Sequence, residues 1–539
     1  MASTAVLARS ARRIVLLISA ALFSLGMISA SKLGLAWDEA NFIPSGLQHL
    51  QAVQEWLKHP TEKNLGSDPR WEWTWEHPPL IKCASALSLS LLYRSLGGLV
   101  AARIPMLLIL GLLPLGAFLA GRELAGESAG LWAALLTATS PRLVGHLIVV
   151  GLDGPLAAFT LLFVAVTLRN TARETGIFRG SLAAGLLLGI CLLIKFNAFF
   201  LFPVAWICSF RGKPSSRWPR LLFVLGIALL IGYLGSPYLW HDAPRRVTAY
   251  FLSKFHRSSV PVHYLGQTYA DAPTAAQAPW HYPFVLLWST TPPLVLLAAL
   301  IGLFSPVCRK RVRPLIVLTA CFLLPCCAPQ TPKYDGIRLF LPAAASLTVM
   351  GGVGLDKMAR WLNSALQLPV PLTVFGSFLL SVLPLLSIHP YYLSYYSPVV
   401  GGLPGAERLG LEITYWGECL GPDAIHAVQK EKNLSLLRVD PVGGNVCPLS
   451  ANMGLLPKDM DMVRLAETGS LDPPRDAPNE KTAIALICRK GEFEEVHWKL
   501  FRKERPFMAV TAQETPLVRF YMQEQLDRVL ASFSDEVHP

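Results

Sequence analysis

Apolar runs of about 17 to 25 residues, each long enough to cross a hydrocarbon core as a helix, recur in this chain from Ile14 to about His389. After the first run, ending near Trp37, they fall at about 79–97, 99–120, 129–150, 152–168, 181–197, 198–210, 219–240, 282–304, 314–329, 338–355 and 369–389. With 52% hydrophobic and 16% charged residues, the chain is not an ordinary soluble protein. Its net charge of +12 raises the question of nucleic acid. The Lys and Arg residues, however, sit in short clusters between apolar runs, not in a stripe with interleaved aromatics, and no groove-reading motif accompanies them. No nucleic-acid partner is expected, and the clusters read as the positive-inside signal of a multi-pass membrane protein.

The clusters orient the runs. Arg122; Arg169, Arg173 and Arg179; Arg211, Lys213, Arg217 and Arg220; Arg309, Lys310, Arg311 and Arg313; and Lys357 and Arg360 are expected on the cytoplasmic side. Segments 37–78, around 151, 241–281 and 329–337 then face outward. Two runs lie between 37–78 and Arg122, so one should not cross. The run at 79–97, with Ser85, Ser88, Ser90 and Arg94, is the better candidate for an interfacial piece. About eleven to thirteen crossings result. At the N-terminus, Arg9, Arg12 and Arg13 before an apolar run ending in "ISA" also fit a cleaved signal peptide. The resumption of the run from Leu33 to Trp37 favours a retained first helix. No internal repeat is visible in the membrane region, which weighs against inverted-repeat transporter folds.

From about Pro390 the composition becomes more polar over roughly 150 residues, enough for one small domain. It mixes a helix-like "PDAIHAVQKEK" with a strand-like "KTAIALICR", so an α/β soluble domain is expected at 390–539, after a membrane domain at 1–389. Cys83, Cys191, Cys208, Cys308, Cys321, Cys326 and Cys327 lie in or beside apolar runs and read as core residues. Cys419, Cys447 and Cys488 fall in the tail, where one disulfide is expected if it faces an oxidising compartment; the sequence does not choose the pair.

Several ionisable residues stand where charge is costly. In "GLAWDEANF", Asp38 and Glu39 follow the first apolar run directly, either as reactive groups or as acids favouring the start of a following helix. Asp153 opens an apolar run, and Arg142 and His146 upstream are its expected partners. "CAPQTPKYDGIRLFLP" places Lys333, Asp335 and Arg338 in an outward loop, against the positive-inside trend, where they suit either a phosphate or lipid headgroups. "WEWTWEHPP" carries three tryptophans at headgroup depth, with Glu76 and His77 as candidate substrate-binding residues beside His146. No HExxH, P-loop, GxSxG or dinucleotide-binding GxGxxG is present.

The order of "WDEA", the aromatic loop, "EHPPL", "AARIP", "GLWAALLTATSPRLVGHLIVVGLDGPLAAF", "LIKFNAFFLFP" and "KYDGIRLFLPAAASLTVMGG" resembles the polyprenyl-phosphate-sugar-dependent glycosyltransferases of GT-C fold. Within these it is similar to the protein O-mannosyltransferase and aminoarabinose-transferase-like group, over roughly residues 10 to 360. The resemblance implies that Asp38 is the general base on an acceptor hydroxyl, Glu39 a substrate-positioning acid and Asp153 the second acid. It implies that Lys333 and Arg338 lie near the lipid phosphate, where Arg142 is a further candidate. The family's "PRYLLP" ending is matched only in part by "GIRLFLP", where Leu339 replaces an aromatic residue. The tail segment "YYLSYYSPVVGGLPGAERLGLEITYWGE" resembles bacterial members.

An all-α polytopic membrane protein of GT-C type with a soluble α/β tail outside the cytoplasm, in a bacterial inner membrane, is therefore expected. Its partners would be the bilayer, a polyprenyl-phosphate-linked sugar donor of hexosyl or mannosyl type and a hydroxyl acceptor of unknown kind. No cofactor is evident; a divalent metal stays open, without an adequate ligand set in the sequence. A multi-pass transporter or lipid flippase, or a structural membrane protein with an exported binding tail, are the alternative readings.

Overall fold

The long first run folds as one helix, α1 (Ala2–Lys32), and a four-residue link, Leu33 to Ala36, then turns the chain into α2 (Trp37–Lys58). The outward-facing segment expected at 37–78 thus opens with a helix of 22 residues. Its start follows from the acids: Asp38 and Glu39 lie in the first turn, where the helix dipole favours negative charge. Glu39 also accepts the backbone N–H of Ala36 at 2.9 Å, filling one side of a capping box. The computed structural model describes residues 2–60, 64–172, 177–210, 214–253, 260–269, 277–304, 306–329, 331–465 and 481–537. Arg173, Arg211 and Lys213 lie outside the described residues, as do the side chains of Cys308 and Lys310.

The bundle continues through α3 (Leu80–Leu96), α4 (Gly98–Ala125), α5 (Glu127–Ala138), α6 (Pro141–Gly145), α7 (Asp153–Ala172), α8 (Ile177–Ile194), α9 (Phe202–Ser209), α10 (Arg217–Leu234) and α11 (Ala243–Leu252). A short hairpin, β1 (Val262–Tyr264) with β2 (Gln267–Tyr269), precedes α12 (Tyr282–Thr290), α13 (Pro293–Phe304), α14 (Pro306–Leu323), α15 (Leu341–Ala365) and α16 (Val370–Leu386). Among the described residues four helical stretches are long and apolar enough to cross a membrane: Arg9–Lys32, Gly98–Ala125, Arg217–Leu234 and Arg338–Ala365. The pair α12 and α13, bent by 116°, forms a fifth if taken as one broken span.

Several apolar runs expected as continuous are built in pieces. The run at 129–150 breaks between α5 and α6 at Pro141, which has no N–H to continue the ladder. The run at 282–304 breaks because Thr291 precedes Pro292 and takes extended angles, φ −91 and ψ 133. The run at 198–210 begins as a 3-10 turn, Phe196–Leu201, before α9.

α15 is the central helix, with 89% of its most apolar window buried, packed by α5, α7, α13 and α14. Small residues permit that approach. A Cβ on Gly354 would lie 1.9 Å from the Ala298 carbonyl oxygen, and one on Gly352 would lie 2.5 Å from the Ala133 nitrogen.

After α17 (Gly402–Arg408) the tail forms α18 (Pro422–Lys432), β3 (Leu436–Asp440), α19 (Val446–Asn452), β4 (Asp461–Arg464), β5 (Thr482–Ile487), α20 (Glu495–Lys503), β6 (Met508–Ala512), β7 (Thr515–Met522) and α21 (Gln523–Val537). The helix-like and strand-like stretches read from sequence are α18 and β5. The sheet order is β4-β3-β5-β7-β6, with β3 parallel to β4 and β5, and β7 antiparallel to β5 and β6. The carboxyl end of β3 faces the bundle: a Cβ on Gly444 would meet the Trp37 ring at 3.0 Å, and Asn445 Nδ2 donates to Asn41 Oδ1 at 3.0 Å. The disulfide expected among Cys419, Cys447 and Cys488 is not formed, and all three side chains are buried.

Candidate active site

Asp38 is the second residue of α2, Asp153 the first of α7, Lys195 follows α8, and Arg338 lies just before α15. These helix ends lie at one end of the bundle, and their side chains meet. Arg338 donates through Nη2 to Asp38 Oδ2 at 2.7 Å, through Nε to Asp153 Oδ2 at 3.2 Å and through Nη1 to Asp335 Oδ2 at 2.7 Å. Lys195 Nζ is paired with Asp153 Oδ1. Arg489, from the tail, reaches Asp335 Oδ1 at 3.1 Å. Three buried carboxylates are thereby matched by three buried cations, the condition under which such charges are tolerated away from water.

The loop that brings Arg338 inward depends on two consecutive left-handed residues, Asp335 (φ 53) and Gly336 (φ 65). Asp tolerates that region better than most residues. Gly336 also lies where an added Cβ would approach Arg142 Nη1 and Tyr415 Cε1, each at 3.3 Å. Trp416 packs on the cluster: its Nε1 donates to Asp335 Oδ2 at 3.0 Å, and the centre of its ring lies 4.7 Å from the Arg338 guanidinium.

Asp38 differs from its neighbours in access. Its side chain is 10% exposed, against 3% for Asp153, 4% for Asp335 and 0% for Glu39. Burial pushes its carboxyl above the ordinary value of 3.8, with Arg338 opposing the shift.

The adjacent acid is consumed. Glu39 accepts Arg103 Nε at 2.8 Å and Nη2 at 2.6 Å, as well as the N–H groups of Ala36 and Val150 at 2.9 and 2.8 Å. Arg103 spends its remaining donors on the carbonyls of Ala30, Leu33 and Gly34. Glu39 therefore fixes the start of α2 against α4 and the end of α1, and holds Asp38 in place without facing a cavity.

Arg142 and His146, expected to partner Asp153, turn instead towards residues 395–415. Arg142 Nε donates to the Tyr395 carbonyl at 3.0 Å, Nη1 to Tyr415 Oη at 3.3 Å, and its guanidinium lies 5.0 Å over the Tyr396 ring. Its Nη2 is buried and has no hydrogen-bond partner among the described residues. His146 Nε2 lies 3.3 Å from the same Tyr415 hydroxyl. The hydrogen bonds and ion pairs of Asp153 among the described residues go to Lys195 and Arg338.

Lys333 binds its own loop, donating to the carbonyls of Ala328 and Thr331 at 2.8 and 3.2 Å. Burial lowers its ammonium pKa. Glu76 and His77 lie 3.9 Å apart, and His77 lines a separate cavity with His49, Lys82, Trp71 and Tyr238. The His77 ring packs edge-on against Phe42, one turn along α2 from Asp38. Among the described residues no group of three His, Cys, Asp or Glu side chains is placed to hold a metal ion.

Sequence reasoning assigned no role to Lys195, Arg103, Tyr415, Trp416 or Arg489. Lys195 in "LLIKFN" and Arg103 in "AARIP" interrupt apolar runs, a detectable signal of a buried charge. The tail residues carry no such local mark.

An apolar helix bundle with a buried acid–arginine cluster at one end and a small sheet docked over it defines an integral membrane protein of the GT-C glycosyltransferase fold. Residues 76–235 match the family model described as dolichyl-phosphate-mannose-protein mannosyltransferase. That stretch includes Arg103, Arg142, Asp153 and Lys195, and leaves out Asp38 and Arg338. The chain is similar to ArnT from Cupriavidus metallidurans bound to undecaprenyl phosphate, with TM-score 0.50 and 15% identity, covering 94% of this chain and 97% of that one. The apo state of ArnT gives TM-score 0.48 at 13% identity, covering 96% and 99%. The archaeal oligosaccharyltransferase AglB from Archaeoglobus fulgidus, in complex with an inhibitory peptide and a dolichol-phosphate, gives 0.44 at 12%, covering 89% and 69%. None of the curated proteins compared matches the sequence. The resemblance to GT-C glycosyltransferases read from the sequence thus holds across the fold.

Proposed function

We propose that the protein transfers a sugar, of hexosyl or mannosyl type, from a polyprenyl-phosphate-linked donor to an acceptor hydroxyl at the outer face of a bacterial inner membrane. The observation that carries this reading is Asp38: the most accessible acid of a buried cluster, on a carboxylate whose Oδ2 is fixed by Arg338. As the acceptor oxygen bonds to the anomeric carbon, its proton passes to the Asp38 carboxylate. The bond from that carbon to the phosphate oxygen breaks, and the electron pair leaves with the lipid phosphate. A single displacement inverts the anomeric centre. Arg142, with its unpartnered buried Nη2, and Arg338 are the cations suited to the departing phosphate. Asp153 and Lys195 keep Arg338 in place.

The lipid part of such a donor needs an apolar groove. A cavity of about 610 Å³ lies between α13 and α16, lined by Leu294, Leu297, Leu380 and Leu383, and it ends at Tyr395 and Tyr396. Arg142 contacts both of these tyrosines, so a chain in the groove would present its phosphate towards that guanidinium. The cationic clusters between the apolar runs support an outward placement of the cluster and the tail. Glu76, His77 and His146 are assigned to contacts with substrate, with His77 lining a cavity of its own.

Purified protein, incubated with radiolabelled polyprenyl-phosphate sugars and membrane extract, is expected to move label out of the lipid fraction and release polyprenyl phosphate. Movement of an intact labelled lipid or solute across vesicles, with no bond cleaved, would overturn the transferase reading in favour of transport.

A further inference from the structure

We propose that Arg489, in the tail, is a positioning residue for the acid–arginine cluster, so that the tail is part of the active site; the inference rests on the transferase reading above. Arg489 is the second residue after β5 and is 3% exposed. Its Nη2 reaches Asp335 Oδ1 at 3.1 Å and Glu492 Oε1 at 3.3 Å, while Nη1 donates to the Tyr415 carbonyl at 2.6 Å. The other oxygen of Asp335 accepts Arg338 Nη1 at 2.7 Å, and Arg338 Nη2 holds Asp38 at 2.7 Å. An unbroken line of buried ion pairs therefore runs from the tail through Asp335 and Arg338 to Asp38.

The fold gives the reason for this placement. β4 and β5 lie on opposite sides of β3, so the chain reverses its winding direction between β3 and β5. Parallel sheets present their ligand-contacting residues at the carboxyl ends of strands at such a reversal. Here those ends abut the bundle at two places: the turn after β3 meets Trp37 and Asn41 at the start of α2, and Arg489 meets Asp335. The second contact bears on the loop that carries Arg338, while the first is an exposed one that docks the sheet on α2.

Charge explains what Arg489 does there. Arg338 is shared by three carboxylates, and Arg489 satisfies one of them from behind. Without it, Asp335 competes for Arg338 against Asp38, the Asp38 carboxylate loses compensation, and its proton is held more tightly. A residue serving only to dock the tail would show none of this at Asp38.

Full-length wild type, Arg489→Met, Arg489→Lys and Asn445→Ala are compared for transfer and for amide hydrogen exchange. Arg489→Met is expected to lower kcat about 100-fold with little change in donor KM. It is also expected to move the acidic limb of the kcat–pH profile up by about one unit. Arg489→Lys should recover part of the rate, and Asn445→Ala, which removes a docking contact only, should behave as wild type. Amides of 333–340 should exchange faster in Arg489→Met while those of β3, β5 and β7 stay protected. Wild-type kcat and pH profile in Arg489→Met overturn the inference, as does loss of protection throughout the sheet with no separate change at 333–340. If wild type transfers sugar from no donor, the transferase reading fails by itself. Exchange at 333–340 then decides the coupling: unchanged exchange refutes it and faster exchange supports it.

Discussion

Arg338 and Asp38, 300 residues apart in sequence, are joined by a 2.7 Å ion pair at the point where α2 meets the loop before α15. Two opposing effects act on Asp38 at that point. Burial raises the pKa of its carboxyl, and the guanidinium lowers it, with burial the larger. The result is a carboxylate that binds a proton more readily than a surface aspartate, as a general base requires.

The fork of Arg338 is what a lysine cannot reproduce, since three carboxylates use three different N–H groups. Arg338→Lys is expected to reduce release of polyprenyl phosphate about 100-fold while the protein still inserts and purifies. Arg338→Met leaves uncompensated carboxylates in the interior and should cost about 3–5 kcal/mol of stability, visible as a fall in Tm in detergent.

The pH profile of transfer should carry the mark of Asp38. With its pKa above 3.8, the base is protonated and inactive on the acid side, and the rate rises as pH climbs through that pKa. The acidic limb of kcat should therefore lie above the range of a free aspartate. The same limb should be missing from any residual transfer by Asp38→Asn.

The two adjacent acids should separate by phenotype. Arg103→Met strands Glu39 without its cation at 0% exposure, a loss of about 3–5 kcal/mol that should appear as poor yield or a lowered Tm. Asp38→Asn keeps a hydrogen-bonding partner for Arg338 and should hold a Tm near that of wild type. Thermal unfolding of the two variants side by side checks the assignment of one acid to structure and the other to chemistry.

Stability should depend on pH through the tail contact. Burial pushes Glu412 up to about 8 and Glu418 up to about 7, against an ordinary value of 4.5. Both groups hold protons more tightly folded than unfolded, so their contribution is complete below pH 4.5 and is lost as pH rises through 7 to 8. Wild-type Tm should fall between pH 5 and pH 8.5 on this account, and Glu412→Gln should flatten that fall. A Tm that rises over the same interval would contradict the assignment.

The fold was legible where local chemistry sets it. Apolar runs marked the helices, Asp38 and Glu39 marked the start of α2, and "PDAIHAVQKEK" and "KTAIALICR" marked α18 and β5. Breaks within apolar runs were less visible, because Pro141 and Pro292 interrupt helices whereas Pro105 and Pro114 lie inside α4 without ending it. Among the candidate residues, Asp38, Asp153 and Arg338 stood out as charges at the edges of apolar segments, and the structure gathers them. Pairing was not legible. Asp153 takes Lys195 and Arg338 in place of Arg142 and His146, and Asp335 takes Arg489 across 154 residues. Such partners are chosen by the packing of helix ends and strand ends, which leaves no trace in short sequence windows.

The most direct test compares wild type with Asp38→Asn in a single-turnover assay, using the polyprenyl-phosphate sugar that wild type accepts and following release of the lipid phosphate. The account predicts rapid release by wild type and a loss of about 10²- to 10⁴-fold in Asp38→Asn, with Tm and insertion unchanged. Equal rates in the two proteins would contradict Asp38 as the base, and with it the reading of this cluster as the site of sugar transfer.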